Sequence, residues 1–280
     1  MIDYAILGYS AISGIVFFII VYFISLVIKN AGIVDVGWGI SFIVTTFVAF
    51  FLNLGLNNSY SWHQIIVTVL VFIWGTRLAI HIGLRNIGKP EDFRYKKYRD
   101  EWGKAFPIKS FFIIFMPQAI WMLIINSPAL FINAVDSNPS MGTLDIILVI
   151  LGSLVWLGGF LFEGIADYQL KQFKKNPENK GKLMTSGLWR YSRHPNYFGE
   201  ALLWWGPFII AIPLMIKEQG GWIGWLTVLG PILITYMIRF FTGVPRLEEK
   251  YADREDFQEY AKKTSIFIPW FPKKEKENQE

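Results

Sequence analysis

The stretch Gly187-Leu-Trp-Arg-Tyr-Ser-Arg-His-Pro-Asn-Tyr-Phe-Gly-Glu200 is the richest in side chains that can do chemistry. It gathers Arg190, Arg193, His194, Asn196, Tyr197 and Glu200 at the mouth of an apolar run. Charged groups at that depth are expensive, so they tend to be paired or to line a wet cavity. Arg190 and Arg193 present planar, fixed donors suited to phosphate. Asn196 suits an amide or a ribose, and Glu200, four residues on, shares its helical face. Interfacial anchoring would account for Arg and Trp alone. It does not account for His, Asn and Glu together beside a proline.

A second polar group precedes it. Glu163, Asp167, Lys171 and Lys174 follow at spacings of four, four and three, which puts them on one helical stripe leaving the membrane. Asp167 there can bind a hydroxyl-rich group while Lys171 and Lys174 meet phosphate. The same spacing also describes a plain salt-bridged helix face, worth a few tenths of a kcal/mol. In the first half, Asp35 sits in Gly-Ile-Val-Asp-Val-Gly-Trp-Gly39 at the start of a span. Arg77, His81 and Arg85 repeat every four residues at the end of another. An intramembrane Asp is a functional hypothesis by default, and Arg77 or His81 is its expected partner. Arg85 is expected to snorkel. Residues 90–98, Pro-Glu-Asp-Phe-Arg-Tyr-Lys-Lys-Tyr, are expected to be mostly solvated loop, with Arg94 and Tyr95 as the exceptions. His63 flanks a polar loop and is expected to be inert.

Some chemistries are excluded. There is no Cys, so no disulfide, thiolate metal site or cysteine nucleophile. There is no Walker loop, no Gly-x-Gly-x-x-Gly and no metal-type His spacing, so no metal is expected and any nucleotide sits outside a Rossmann or P-loop site.

The elements that must position these residues follow from composition. Of 280 residues 53% are hydrophobic and 18% charged, below the roughly 25% charged of ordinary soluble domains. Apolar blocks near 4–28, 36–54, 62–84, 110–132, 142–166, 198–216 and 222–243 each match a hydrocarbon core of about 30 Å. The expected fold is an all-α polytopic membrane bundle of about seven transmembrane helices. Pro117, Pro128, Pro207, Pro213 and Pro231 fall inside spans, where neighbouring groups can satisfy the freed carbonyls. The loops 85–109, 171–193 and 246–276 hold eight, seven and eight Lys or Arg, whereas 55–61, 133–141 and 217–221 hold only Lys217. The positive-inside rule then puts the N-terminus outside and the C-terminus in the cytoplasm. The net charge of +5 is assigned to membrane lipids rather than nucleic acid. The N-terminus lacks a cleavable signal and is expected to stay as a span. One membrane domain is expected over 1–280, with 1–132 on the substrate side, 142–272 on the cofactor side and a charged tail at 273–280. The segment 246–263 is expected to be a helix lying against the membrane face or the protein's own underside.

These residues resemble a bacterial domain-of-unknown-function family grouped with the steroid 5α-reductase C-terminal domain. The resemblance covers Val34-Asp-Val-Gly-Trp-Gly39, Arg77-Leu-Ala79, Glu91-Asp-Phe-Arg-Tyr95, the 187–200 stretch, and Glu259-Tyr-Ala-Lys-Lys-Thr-Ser-Ile-Phe-Ile-Pro-Trp-Phe-Pro272. The core also resembles isoprenylcysteine carboxyl methyltransferases. Steroid 5α-reductases are seven-span enzymes that use NADPH to reduce a C=C bond conjugated to a ketone. The resemblance implies that Asp167 contacts the cofactor, that Lys174 stands where the family has Arg, and that Lys182 is the basic residue before the next motif. It implies further that Asn196 and Glu200 hold the nicotinamide end. The family's Glu and Tyr at the substrate ketone have no counterpart, since no Glu occurs in the first three spans. Asp35, His81 and Arg77 are the nearest candidates for that role.

The function expected is an NADPH-dependent membrane reductase acting on a conjugated C=C bond of an apolar steroid-, isoprenoid- or lipid-like substrate drawn from the bilayer. Lys171, Lys174, Lys182, Arg190, Arg193 and His194 belong to its cofactor side with Asp167, Asn196 and Glu200. The alternatives are an S-adenosylmethionine-dependent methyltransferase of a lipid or prenylated substrate, and a non-catalytic lipid-binding protein. In a bacterium the location expected is the inner membrane.

Overall fold

The computed structural model describes residues 2–58, 60–86, 88–135, 141–217 and 221–273. Residues 274–280 of the expected charged tail lie outside the described residues. Among those described there are helices and no β-strand. Seven helical stretches are long and apolar enough to cross a membrane: Tyr4–Val27, Ile33–Asn57, Trp62–Asn86, Phe93–Ile125, Thr143–Lys175, Pro195–Ile216 and Gly221–Glu249. The shortest has 22 residues, about 33 Å of helix against a core of about 30 Å. This is the all-helical, seven-span membrane architecture the sequence led to. The protein is an integral, multi-pass membrane protein.

Three helices open the chain: α1 (Tyr4–Val27), α2 (Ile33–Asn57) and α3 (Trp62–Asn86). The fourth stretch corrects an expectation. In place of one span over 110–132, the chain runs through α4 (Phe93–Trp102), α5 (Phe106–Ser110), a π-helical turn (Phe111–Phe115) and α6 (Met116–Ile125). A separate α7 (Ser127–Ala134) follows. Pro107, Pro117 and Pro128 each sit in the first turn of a helix, where the missing N–H leaves no bond broken. Residues 93–98 are therefore helix and not loop. The Asp92 carboxylate accepts the Arg94 N–H and caps that helix.

Then come α8 (Thr143–Lys175), α9 (Pro195–Ile216), α10 (Gly221–Trp225), α11 (Leu229–Tyr236), α12 (Val244–Glu249) and α13 (Glu255–Lys263). The helix expected over 246–263 is thus two helices. α8 carries on past the expected end at 166 to Lys175, so the Glu163–Lys174 stripe does lie on one helix.

The chain divides into two compact units, 1–150 with 207–230, and 151–206 with 231–280. In the first, α2 packs on α1, α3 and α7. A Cβ on Gly39 would stand 2.7 Å from the Gly75 carbonyl oxygen, and one on Gly75 2.6 Å from that of Gly39. Only glycine lets α2 and α3 meet this closely, as small residues do between membrane helices. Phe42 and Trp74 seal the seam edge-to-face at 5.1 Å. Asn126 donates to Thr45 Oγ1 at 3.0 Å and Thr46 Oγ1 at 2.9 Å, a buried polar tie to α2.

In the second unit, α8 and α9 cross on glycines. A Cβ on Gly159 would lie 2.6 Å from the Gly199 carbonyl oxygen, and one on Gly206 2.6 Å from that of Gly152. The loop 187–194 is pinned at both sides. Gly187, at φ +62, packs on Gln169, whose Oε1 accepts the Leu188 N–H at 3.0 Å. Trp189 Nε1 donates to the Ala166 carbonyl at 3.1 Å. Tyr260 of α13 donates its hydroxyl to the Trp189 carbonyl. α13 therefore docks on the protein's own underside, one of the two placements expected for it.

Candidate polar site on the crossing of α8 and α9

The antiparallel glycine crossing sets the register of the chemistry. Gly159 faces Gly199 and Leu203, and Gly199 packs on the Glu163 backbone. One turn beyond Glu163 stands Asp167, and three residues before Gly199 stands Asn196. The two meet, with Asn196 Nδ2 donating to Asp167 Oδ1 at 3.1 Å. The Asn196 Oδ1 atom is buried and has no hydrogen-bond partner among the described residues. Buried amide oxygens rarely stay unmet, so this one marks a place where a donor fits. Glu163 is buried, while Asp167 and Glu200 are half-buried.

Arg193 and His194 lie in the same unit and meet a residue the sequence did not single out, Glu248. Arg193 donates to it twice, Nε to Oε1 at 2.7 Å and Nη2 to Oε2 at 3.0 Å. Its Nη1 donates to the Ala261 and Thr264 carbonyls, both at 3.0 Å. His194 Nε2 stands 3.0 Å from Glu248 Oε1, and its ring stacks on Tyr197 at 5.8 Å. Arg193 thereby joins the 187–194 loop to α12 and α13. Burial raises the pKa of the Tyr260 phenol above its ordinary value, which keeps it protonated as the donor to Trp189. Lys171, Lys174, Lys182 and Arg190 are exposed.

The second cluster lies in the other unit. Asp35 Oδ2 takes Arg94 Nη2 at 2.8 Å and Oδ1 takes the Tyr95 hydroxyl at 2.7 Å. The sequence points to Arg77 or His81 as its partner, because both lie deeper in their span than Arg85. The pair found comes from α4, 59 and 60 residues away. Arg94 also grips Asp92, Nε to Oδ1 at 2.9 Å. Burial works to raise the Asp92 pKa, and the Arg94 contacts more than reverse this and hold it below its ordinary value. Arg77 and His81 are half-buried on α3.

His63 is the third surprise. It is 2% exposed, and its Nε2 stands 3.3 Å from Asp145 Oδ1 without hydrogen-bond alignment. Asp145, 1% exposed, takes Lys217 Nζ at 2.6 Å and the Gly142 N–H at 2.9 Å. No group of three metal-type ligands occurs among the described residues.

The 3-oxo-5-alpha-steroid 4-dehydrogenase 1 of Bos taurus is 29% identical over 119 residues, 42% of this chain and 40% of that protein. A probable O-methyltransferase of Ustilaginoidea virens is 39% identical over 61 residues, 22% of this chain and 19% of that protein. An uncharacterised protein of Schizosaccharomyces pombe is 26% identical over 268 residues, 86% of this chain and 73% of that protein. No solved structure matches the chain. The relation to steroid reductases and methyltransferases that the motifs suggested is thus present over parts of the chain. The family described as "Protein of unknown function (DUF1295)" matches residues 21–264, and with a match of that extent the chain belongs to it.

Proposed function

We propose that the protein is an NADPH-dependent membrane reductase that reduces a C=C bond conjugated to a carbonyl in an apolar substrate taken from the bilayer. The observation that carries this reading is Asn196. Its amide is fixed by Asp167, and its buried Oδ1 is left to accept one further hydrogen bond. A nicotinamide carboxamide supplies that donor, so the residues present fit the group. When bound, the dinucleotide would supply the hydride. Asn196 and Glu200 orient the amide end, and Asp167 holds Asn196 in register. Lys171, Lys174, Lys182 and Arg190 neutralise the phosphates from the water side. Arg193 and His194 keep the loop between them in place through Glu248. On the substrate side, a donor to the carbonyl stabilises the charge that develops there. Asp35, Arg77 and His81 are assigned to that side, and Asp35 brings the Tyr95 hydroxyl with it.

In this reading the apolar spans supply the route for a lipid-soluble substrate, and the basic loops favour a cytoplasmic cofactor side. The decisive experiment is a titration of the purified protein with NADPH, followed by NADPH oxidation in the presence of an enone. Micromolar binding that weakens about tenfold in Asn196→Ala, from the loss of hydrogen bonds at a buried site, is the result expected. Absence of binding overturns the reading.

The match to a probable O-methyltransferase favours one other reading, S-adenosylmethionine-dependent methylation of a lipid. Stabilisation against heat by S-adenosylmethionine and not by NADPH would select it.

A further inference from the structure

α13 turns its apolar residues inward: the Arg193 guanidinium lies 5.9 Å over the Phe257 ring, and Tyr260 bonds the Trp189 carbonyl. The strap that follows, residues 265–273, does the reverse. Its backbone is tied at three places. The Arg193 N–H donates to the Ser265 carbonyl at 2.8 Å, the Trp270 N–H to Tyr191 at 2.9 Å and the Lys273 N–H to Lys263 at 2.9 Å. Yet Ile268, Trp270 and Phe271 are 63%, 71% and 77% exposed. Beside them Lys262, Lys263 and Lys273 stand exposed around an open cleft of about 420 Å³.

Three large apolar side chains held outward on a pinned backbone are costly in water. Lys262 and Lys273, interleaved with them, rule out a simple apolar partner, because their charges would be buried without counter-ions. One environment meets both demands. In the interface of an anionic bilayer, Trp and Phe sit at headgroup depth while Lys side chains reach the phosphates. Such a surface is close at hand, since the last span ends at Glu249, 13 residues before Lys262. We propose that residues 262–273 form a docking surface for anionic phospholipid headgroups of the leaflet in which the protein is embedded. Lys262 and Lys273 take the phosphates, and Ile268, Trp270 and Phe271 enter the interface. Because Arg193 and Tyr191 carry both the strap and the 187–194 loop, lipid charge is coupled to the loop that leads into Asn196. The docking does not depend on the reductase reading.

The chain has no Cys, so one engineered thiol gives a background-free probe. The full-length protein carrying Trp270→Cys is labelled with a polarity-sensitive fluorophore. It is then reconstituted in vesicles of phosphatidylcholine alone, or with added phosphatidylglycerol. Ile268→Cys serves as an independent second site. The expected result is a blue shift and severalfold lower quenching by aqueous acrylamide in the anionic vesicles only. Each Lys→Gln change at 262 or 273 should weaken docking about fivefold. Equal quenching of both probes in the two vesicle types overturns the proposal. So does protection of the probes by inorganic phosphate in neutral vesicles, which would make the cleft a soluble-phosphate site. Protection that grows with protein density and ignores lipid charge also overturns it, in favour of self-association.

Discussion

Arg193 and Glu248 form a two-pronged ion pair, at 2.7 and 3.0 Å, across 55 residues of sequence. The same guanidinium holds two carbonyls of the C-terminal segment, and the same carboxylate holds His194. Side-chain exposures of 10% and 19% place the pair largely out of water. A pair of this kind is expensive to break, because the surviving charge is left buried without a partner.

Arg193→Ala and Glu248→Gln should each destabilise the protein by about 3 kcal/mol, measured by denaturant unfolding in mixed micelles. Arg193→Lys should recover little, because a point charge cannot serve a carboxylate and two carbonyls at once. Losses under about 0.5 kcal/mol, the range of a neutral surface change, would remove the clamp from the account of this loop.

The glycine crossing of α8 and α9 yields a test with opposite signs on one helix. A Cβ on Gly159 would meet the Leu203 N at 2.5 Å and the Gly199 carbonyl oxygen at 2.6 Å, all backbone that cannot step aside. Gly158, its neighbour, has nothing within 4 Å of such a Cβ. Gly159→Ala should cost about 1–3 kcal/mol through overpacking. Gly158→Ala should be neutral or stabilise by up to about 1 kcal/mol, the difference in helix propensity. Equal effects of the two would mean that the helices are not in this register.

The contrast between these sites shows how far sequence carried. Spans were legible because their apolar blocks match a bilayer thickness. The Glu163–Lys174 stripe and the 187–200 stretch were legible because helical spacing and clustering are local. Glu248 was not, because nothing within ten residues of it repeats a functional spacing; its role comes from the meeting of α12 with the 187–194 loop, 55 residues earlier in the chain. Asp35 stands out in the sequence as an acid within a span, and it is half-buried in the fold, but the depth of Arg77 and His81 in their own span suggests them as its partners. The observed ligands, Arg94 and Tyr95, arrive on a helix whose polar sequence has the composition of a loop. That helix forms because Asp92 caps it, a local signal, and because Asp35 anchors it, a tertiary one. His63 looked inert for a like reason: its neighbour Asp145 belongs to another span.

Glu91 makes the folded state sensitive to acid. It accepts Arg99 at 2.9 Å through both oxygens and the Ala31 N–H at 2.7 Å. Burial works to raise its pKa, and these bonds more than reverse that, holding it below its ordinary value of 4.5. A folded pKa below the unfolded one stabilises fully above the unfolded value, and the gain is lost as pH falls through the folded value. Stability should therefore be level near neutrality and decline below about pH 4.5. Glu91→Gln should remove roughly 2 kcal/mol at neutral pH, the worth of a charge-assisted bond, and flatten the acid limb. An unchanged acid limb in that variant would place the sensitivity elsewhere.

Asn196 and Asp167 are joined by one hydrogen bond, so their roles toward NADPH should not be independent. Asn196→Ala removes the buried acceptor and should weaken NADPH binding about tenfold, as loss of a bond at a desolvated site does. Asp167→Asn keeps the shape but removes the charge that fixes the Asn196 amide, and should weaken binding by a smaller factor. If Asp167 acts only by holding Asn196, the double variant should bind as weakly as Asn196→Ala alone, with a coupling of 0.5 kcal/mol or more, the usual range for residues in contact. If Asp167 also touches the cofactor, the two losses should add. Isothermal titration of the four proteins separates the cases, and unfolding of the same samples checks that the crossing at Gly159 and Gly199 has held. Four equal affinities would detach this pair from the cofactor and leave it as a structural tie between α8 and α9.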